Sequence, residues 1–399
     1  MRSKIKNIFM TQEQKQIILS QVFSPISPIQ EIDFFFGRLN QLEKIADAIN
    51  ENGQHAILYG ERGVGKTSLA NIMSKSYTNL YPVKITCDRQ DTFKSLWERA
   101  FESIQFAKTT NGLGFNADQV SEIVNLKGQI AGISNLRANQ LVNIINSFGN
   151  FKSLFIFDEF DNIKNEKTRS SFADLIKSLS DNNVNTTVVL IGIADSIENL
   201  IGNHQSLERC LKQVKMPRMR PEEGEQIIIN GLEKLEIKID KKIIDKILEF
   251  SSGFPHYIHL LCKYGAKELI KNKKDNFSEA YLTIAIREGI ENTSEQLRIS
   301  FRKAILTSNS SNKWKDLIYA CANCSLDEFN AFTITDVVSQ YNAITSKAIK
   351  NKDLNYNLNK LTTEDRGDIL TKLGKGMSTR YCFKNPMMRA FVKLKIHSS

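Results

Sequence analysis

The chain has 399 residues, room for two or three domains that each bury a core, and its 41 % hydrophobic and 25 % charged residues describe a folded rather than a disordered protein. No run reaches the ~18 apolar residues of a membrane span. The basic start, Met1 to Lys6, leads into an apolar stretch broken by Gln12, Glu13, Gln14 and Lys15, so no secretory signal is read and a cytoplasmic location is expected. A net charge of +10 attracts polyanions, of which nucleic acid is the commonest in that compartment, although a lysine-rich surface also serves solubility alone.

Residues 1–36 read as a lead-in: a short helix over Gln12–Val22, a turn-rich passage with Pro25 and Pro28, then the aromatic run Phe34-Phe35-Phe36. From Gly37 the pattern alternates. Apolar runs between turn signals predict strands at His55–Tyr59, Val83–Cys87, Ser153–Phe157, Thr187–Ile193 and Gln213–Met216. Helical periodicity fills Lys66–Ser76, Thr92–Ile104, Ala138–Ser147 and Thr168–Leu179. Such alternation predicts an α/β domain over residues 37–220, its parallel sheet covered on both faces. The Gly- and Asn-rich stretch between Gln105 and Leu136 reads as an insertion.

After Pro221 the strands are expected to stop. Helices at Pro221–Leu235, Lys241–Phe250, His256–Lys271 and a long one at Ser278–Leu306 predict a helical lid over residues 221–310. The polar run from Thr307 to Asn312 marks a boundary. Residues 311–399 combine short helices with a hairpin, Ile369–Leu373 and Arg380–Phe383, joined through Gly374-Lys375-Gly376. Six scattered cysteines indicate reduced thiols. Cys321 and Cys324 form a CxxC, but no second pair stands at zinc spacing and both fall in an apolar run, so they are read as core thiols.

Two motifs carry chemistry. Gly60-Glu61-Arg62-Gly63-Val64-Gly65-Lys66-Thr67 fits GxxxxGK[ST] between a predicted strand and a predicted helix, the context that motif requires. The loop and first helical turn (Gly60, Arg62, Gly63, Val64, Gly65, Lys66, Thr67 and Ser68) form the expected nucleotide-binding set. Backbone N–H groups and the helix N-terminus face phosphates there. Lys66 is expected to reach the β- and γ-phosphates, and Thr67 to place its hydroxyl on magnesium. The second motif is Leu154-Phe155-Ile156-Phe157-Asp158-Glu159, a buried strand ending in two carboxylates at the end of the sheet where ligands bind. Asp158 is expected to hold magnesium and Glu159 to act as base on the attacking water. Asp161, two residues on, reads as a helix cap or a surface charge.

Phe36-Gly37-Arg38 ahead of the first strand resembles the nucleotide-edge box of the AAA+ clade that contains the cellular replication initiators and the related STAND ATPases. The chain resembles that clade over residues 34–270. The resemblance implies a parallel-sheet AAA+ ATPase core with a helical lid and a C-terminal winged-helix-like domain, binding ATP and Mg2+ and forming a homo-oligomer. It places Arg38 at the nucleotide. Asp195 falls at the sensor position after the fourth core strand, where the family usually carries Asn or Thr. Arg209 stands like the finger that reaches a neighbour's site, with a surface ion pair as the alternative. Gly253-Phe254-Pro255 resembles the GxP motif of the STAND lid, placing Pro255 near the base, and His256 after it reads as a capped or core histidine.

Leu370–Ser399 carries seven cations, Lys372, Lys375, Arg380, Lys384, Arg389, Lys393 and Lys395, and no acid. A basic hairpin there suits a DNA backbone, or a domain that docks as an internal lock. Two functions follow. One is an ATPase acting on DNA, of initiator, loader or transposition-regulator type. The other is a STAND-like signalling ATPase, for example in antiphage defence, that controls a separate effector protein.

Overall fold

The alternating runs form one parallel sheet in the computed structural model. It describes residues 10–397 except 26, 30–31, 33–34, 78–79, 112–118, 148–151, 195–197, 202–206, 208, 293–294, 307–311, 328–329, 375–378 and 386, and no side chains at 106–124 or 198–199. Contacts divide the chain into two units, residues 28–217 and residues 1–27 with 218–399.

In the first unit the strands in chain order are β1 (His55–Gly60), β2 (Tyr81–Thr86), β3 (Gln105–Asn111), β4 (Gln119–Asn125), β5 (Ser153–Asp158), β6 (Thr186–Ile193) and β7 (Leu211–Lys215). The sheet order is β2-β5-β6-β1-β7, all parallel, and β3 and β4 pair only with each other as an antiparallel hairpin within the predicted insertion. The chain leaves β1 to one side and returns on the other through β7, which makes the end of β1 the topological switch point.

Every residue of β5 is buried, as a two-faced central strand demands. Phe155 and Phe157 project to one face and meet Trp97 with ring centroids 4.7 and 5.3 Å apart. Trp97 lies on the Phe93–Ser103 helix, started by a Thr92–Ser95 capping box, and Phe172 on the Glu166–Asp181 helix closes the cluster against Phe157. By alternation Ile156 and Asp158 face the other side, toward the Lys66–Ser76 helix.

In the second unit the helix Gln12–Val22 begins with a Thr11–Gln14 capping box and anchors through Gln12 Nε2, which donates to the Ile270 carbonyl at 2.8 Å. The helices are Pro221–Glu233, Lys241–Ser251, Pro255–Lys271, Glu279–Glu291 and Glu295–Ile305. The single long helix expected over Ser278–Leu306 is therefore two. Asn292 ends the first: its N–H donates to the Glu288 and Ile290 carbonyls and its side-chain amide to that of Glu288. Strands also persist after Pro221, as the short parallel pair β8 (Lys238–Ile239) and β9 (Asn276–Phe277).

The same unit contains helices Lys313–Asn323, Ile334–Thr345, Asn351–Lys360 and Met387–His397, with a three-stranded antiparallel sheet ordered β10 (Phe332–Thr333), β12 (Arg380–Phe383), β11 (Leu370–Leu373). The last helix packs on lid helices: the Phe250 and His397 rings lie 4.8 Å apart, Phe301 and Phe391 5.5 Å, and Tyr257 Oη donates to the Met387 carbonyl. Cys321 and Cys324 are buried and burial raises both thiols, that of Cys324 to about 12, as core sulfurs should behave. Among the described residues no three His, Cys, Asp or Glu side chains come together to hold a metal ion.

Candidate nucleotide site

The phosphate loop leaves β1 at Gly60. A Cβ on Gly60 would lie 2.3 Å from the Met216 carbonyl oxygen, and its φ of +152° is open only to glycine, so the strand leaves its sheet here in a path no other residue allows. Gly65 caps the Lys66–Ser76 helix at φ +100°, turning the loop onto the helix N-terminus. That helix spans the predicted residues.

Lys66 is 9 % exposed and its ammonium donates to the Gly60 and Glu61 carbonyls at 2.9 and 2.7 Å. Burial pushes it down to about 8, against the opposing pull of Asp161, Asp158 and Glu61. The lysine thus feels the charge of Asp158 at the end of β5 and of Asp161 in the turn that follows. Thr67 is half-buried in the first turn, Arg62 and Gly63 are exposed, and Val64 is buried. Ser68 Oγ accepts the Ile29 N–H at 3.2 Å.

Arg38 occupies a left-handed turn at φ +62° and is 1 % exposed. One guanidinium nitrogen donates to the Val64 carbonyl at 3.2 Å and to the Pro217 carbonyl at 2.7 Å, so it fastens the loop to the segment that leaves β7.

β6 separates β1 from β5, and the acids stand at the end of β5. Asp158 is 3 % exposed; Oδ1 accepts the Glu159 N–H at 2.9 Å and Oδ2 lies 3.2 Å from Lys84 Nζ. Glu159 is exposed at φ +57°, its Oε2 accepting from Asn162 Nδ2 at 3.0 Å, and the same amide reaches the Cys87 carbonyl at 3.3 Å. Asp161 is no surface charge. It sits half-buried in the 3-10 turn Phe160–Asn162, and Oδ1 accepts the Ile193 N–H at 2.8 Å, latching this turn to the end of β6. Gly192 makes room for it: a Cβ there would meet Leu200 at 2.6 Å and Asp161 at 3.2 Å.

Thr67 and Asp158 offer hard oxygen donors of the kind Mg2+ takes beside phosphates, and Lys66 with the helix N-terminus suits an anionic triphosphate. The residues present fit a magnesium nucleotide.

Arg209 stands apart from this cluster. It is exposed before β7 and pairs with Asp181 at 2.7 Å, while its carbonyl accepts from Gln54. Asp195, Phe34, Ser206, Glu208 and Lys375 lie outside the described residues. Pro255 belongs to the second unit, at the first position of its helix. Gly253 before it has φ +79°, with the Met219 carbonyl 2.9 Å from where a Cβ would stand. His256 Nδ1 lies 2.7 Å from the Pro25 carbonyl oxygen, a locally satisfied histidine.

Sequence reasoning passed over Lys84, Asn71 and Asn162. Only Lys84 left a signal: a lysine inside a strand of β-formers, Tyr81-Pro82-Val83-Lys84-Ile85-Thr86, needs a partner for its charge.

A central strand feeding a GxxxxGK[ST] loop, with paired carboxylates two strands away on the same sheet, defines a P-loop NTPase with an AAA+ core. The sequence profile of Novel STAND NTPase 1 matches residues 28–298, and the chain belongs to that family. No curated protein matches it. Among solved structures it is similar to the Walker-type ATPase PABY2304 of Pyrococcus abyssi, at 13 % identity and TM-score 0.52 over 92 % of this chain and 99 % of that one. It is also similar to the ORC1 protein of Aeropyrum pernix in complex with DNA (12 %, TM-score 0.47, 96 % of both chains). A third is the RuvB Holliday junction branch migration motor of Thermotoga maritima (13 %, TM-score 0.41, 90 % of this chain and 96 % of that one). At these identities the likeness is one of fold.

Among the described residues, no helix is long and apolar enough to cross a membrane.

Proposed function

We propose that this chain is a cytoplasmic switch ATPase. It binds ATP with Mg2+, hydrolyses it slowly, assembles into a homo-oligomer and passes its state to a separate effector protein. The supporting observation for the chemistry is that the Gly60–Lys66 loop leaves the end of β1 while Asp158 and Glu159 stand at the same end of β5 in one parallel sheet. Lys66 holds the phosphates, Thr67 and Asp158 the metal, and Glu159 polarises the water. The winged-helix-like C-terminal segment acts as part of the switch.

The C-terminal cations favour this over a DNA-acting ATPase. The segment is free of acid, yet Arg380 pairs with Asp327 at 2.6 Å, Lys384 with Asp368 and Lys393 with Glu249. Arg389 donates to the Ala322 and Cys324 carbonyls at 2.9 and 2.7 Å, and burial pushes it down to about 10. The half-buried Arg389 and Lys393 are held inside the protein and contribute little to a phosphate backbone, while the exposed pairs at Arg380 and Lys384 reduce that charge without removing it.

One observation favours the DNA reading. The Asn351–Lys360 helix exposes Asn351, Lys352, Asn355 and Tyr356, side chains able to read base edges or stack. A salt titration separates the two. With ATP present and oligomers formed, the switch predicts no duplex binding at ~50 mM salt. Tight binding that falls steeply with salt, and that Lys352→Glu with Tyr356→Ala weakens, would replace it with the DNA reading.

Assembly makes its own prediction. Arg209 breaks only an exposed ion pair when it leaves Asp181, a loss of about 0–1 kcal/mol. It is therefore free to serve a neighbouring subunit. Activity per subunit should rise with protein concentration, and Arg209→Ala should flatten that rise without moving the melting temperature by more than a few degrees. Undiminished activity in a dilute monomer would exclude the role.

A further inference from the structure

Lys84 stands in β2 with its side chain on the face opposite Val83 and Ile85, both of which enter the aromatic core. Its register partner across the sheet is Ile156, two residues before Asp158. The lysine side chain is 22 % exposed and that of Asp158 only 4 %. Lys84 Nζ lies 3.2 Å from Asp158 Oδ2 and donates to Asn71 Oδ1 at 2.6 Å. Asn71 is buried on the helix that begins at Lys66. A carboxylate this deep needs a counter-charge, and here the protein supplies one of its own, fixed to the phosphate-loop helix through Asn71.

We infer that Lys84 is a resident counter-ion that competes with Mg2+ for Asp158, and so sets the metal concentration at which nucleotide is held. This rests on the reading of Asp158 as the magnesium carboxylate. Two cations on one carboxylate repel, so each lowers the affinity of the other by the same factor. The metal must displace the ammonium, or share Asp158 with it at weakened affinity. At low Mg2+ the site stays neutral and the nucleotide is released.

The test uses the full chain and a fluorescent ADP analogue, with Mg2+ as the titrant. Lys84→Met should lower the Mg2+ concentration for half-maximal nucleotide retention by roughly tenfold, within the range of coupling between two ligands. Lys84→Arg, which keeps the charge, should stay near wild type. Without nucleotide, Lys84→Met should melt below wild type, because Asp158 is left unpaired in a buried position. Should Lys84→Met fail to fold, Lys84→Gln carries the same test with a polar head for Asn71. Asp158→Asn should raise the Mg2+ requirement, and adding Lys84→Met to it should change nothing more. A requirement that Asp158→Asn raises but Lys84→Met leaves within about twofold of wild type would overturn the counter-ion role alone. A requirement that Asp158→Asn leaves unchanged would remove the metal reading, and this role with it.

Discussion

Lys66→Ala is expected to weaken ATP binding roughly 30- to 5,000-fold, since truncating one partner of a desolvated charge pair costs about 2–5 kcal/mol. The fold should survive. Leu69, Ala70, Ile72 and Met73 carry the packing of that helix, and alanine is the best helix former at its first position. Calorimetry with ATP checks it, and equal affinity in the two proteins would end the claim that this loop holds the phosphates. The same instrument reads a pH signature. With the lysine down at about 8, its empty-site form is charged below that pH and loses its proton above it. Phosphates beside it favour the ammonium, so binding takes up a proton increasingly as pH rises through 8. Titrations in buffers of different protonation heat should show that uptake in wild type, and none in Lys66→Ala.

Glu159→Gln separates binding from chemistry. The glutamate is exposed in a left-handed turn and held by the Asn162 amide. Glutamine keeps its shape and removes its basicity. ATP affinity should stay within about twofold while single-turnover hydrolysis slows by at least ~100-fold, the scale of a lost general base. Turnover near wild type would move the base elsewhere. A slow wild type leaves the prediction intact, because it concerns the ratio.

The core strands and the phosphate loop were legible because their signals are local. The Lys66–Ser76 helix follows from glycines that fix its start and a periodicity that fixes its length. The paired carboxylates follow from an apolar run that no surface segment would carry. The partners of those groups were not legible. Asp161 meets Ile193 only because β6 lies beside β5, and Lys84 meets Asn71 and Asp158 only because β2 pairs with β5 in one register. Spacing along the chain carries no trace of either. The break in the helix after Glu291 was a different failure. Asn292-Thr293-Ser294 is turn composition, overruled in the reading by the apolar periodicity on both sides.

Arg38 and Gly60 act on the same few atoms. The guanidinium grips the Val64 and Pro217 carbonyls, Met216 N–H donates to the Tyr59 carbonyl at 2.7 Å, and the absent side chain of Gly60 lets that backbone come close. Loop and exit strand are stitched at three points within a rigid sheet. The hand that holds the phosphates therefore shares its wrist with the stretch of chain leading to Arg218.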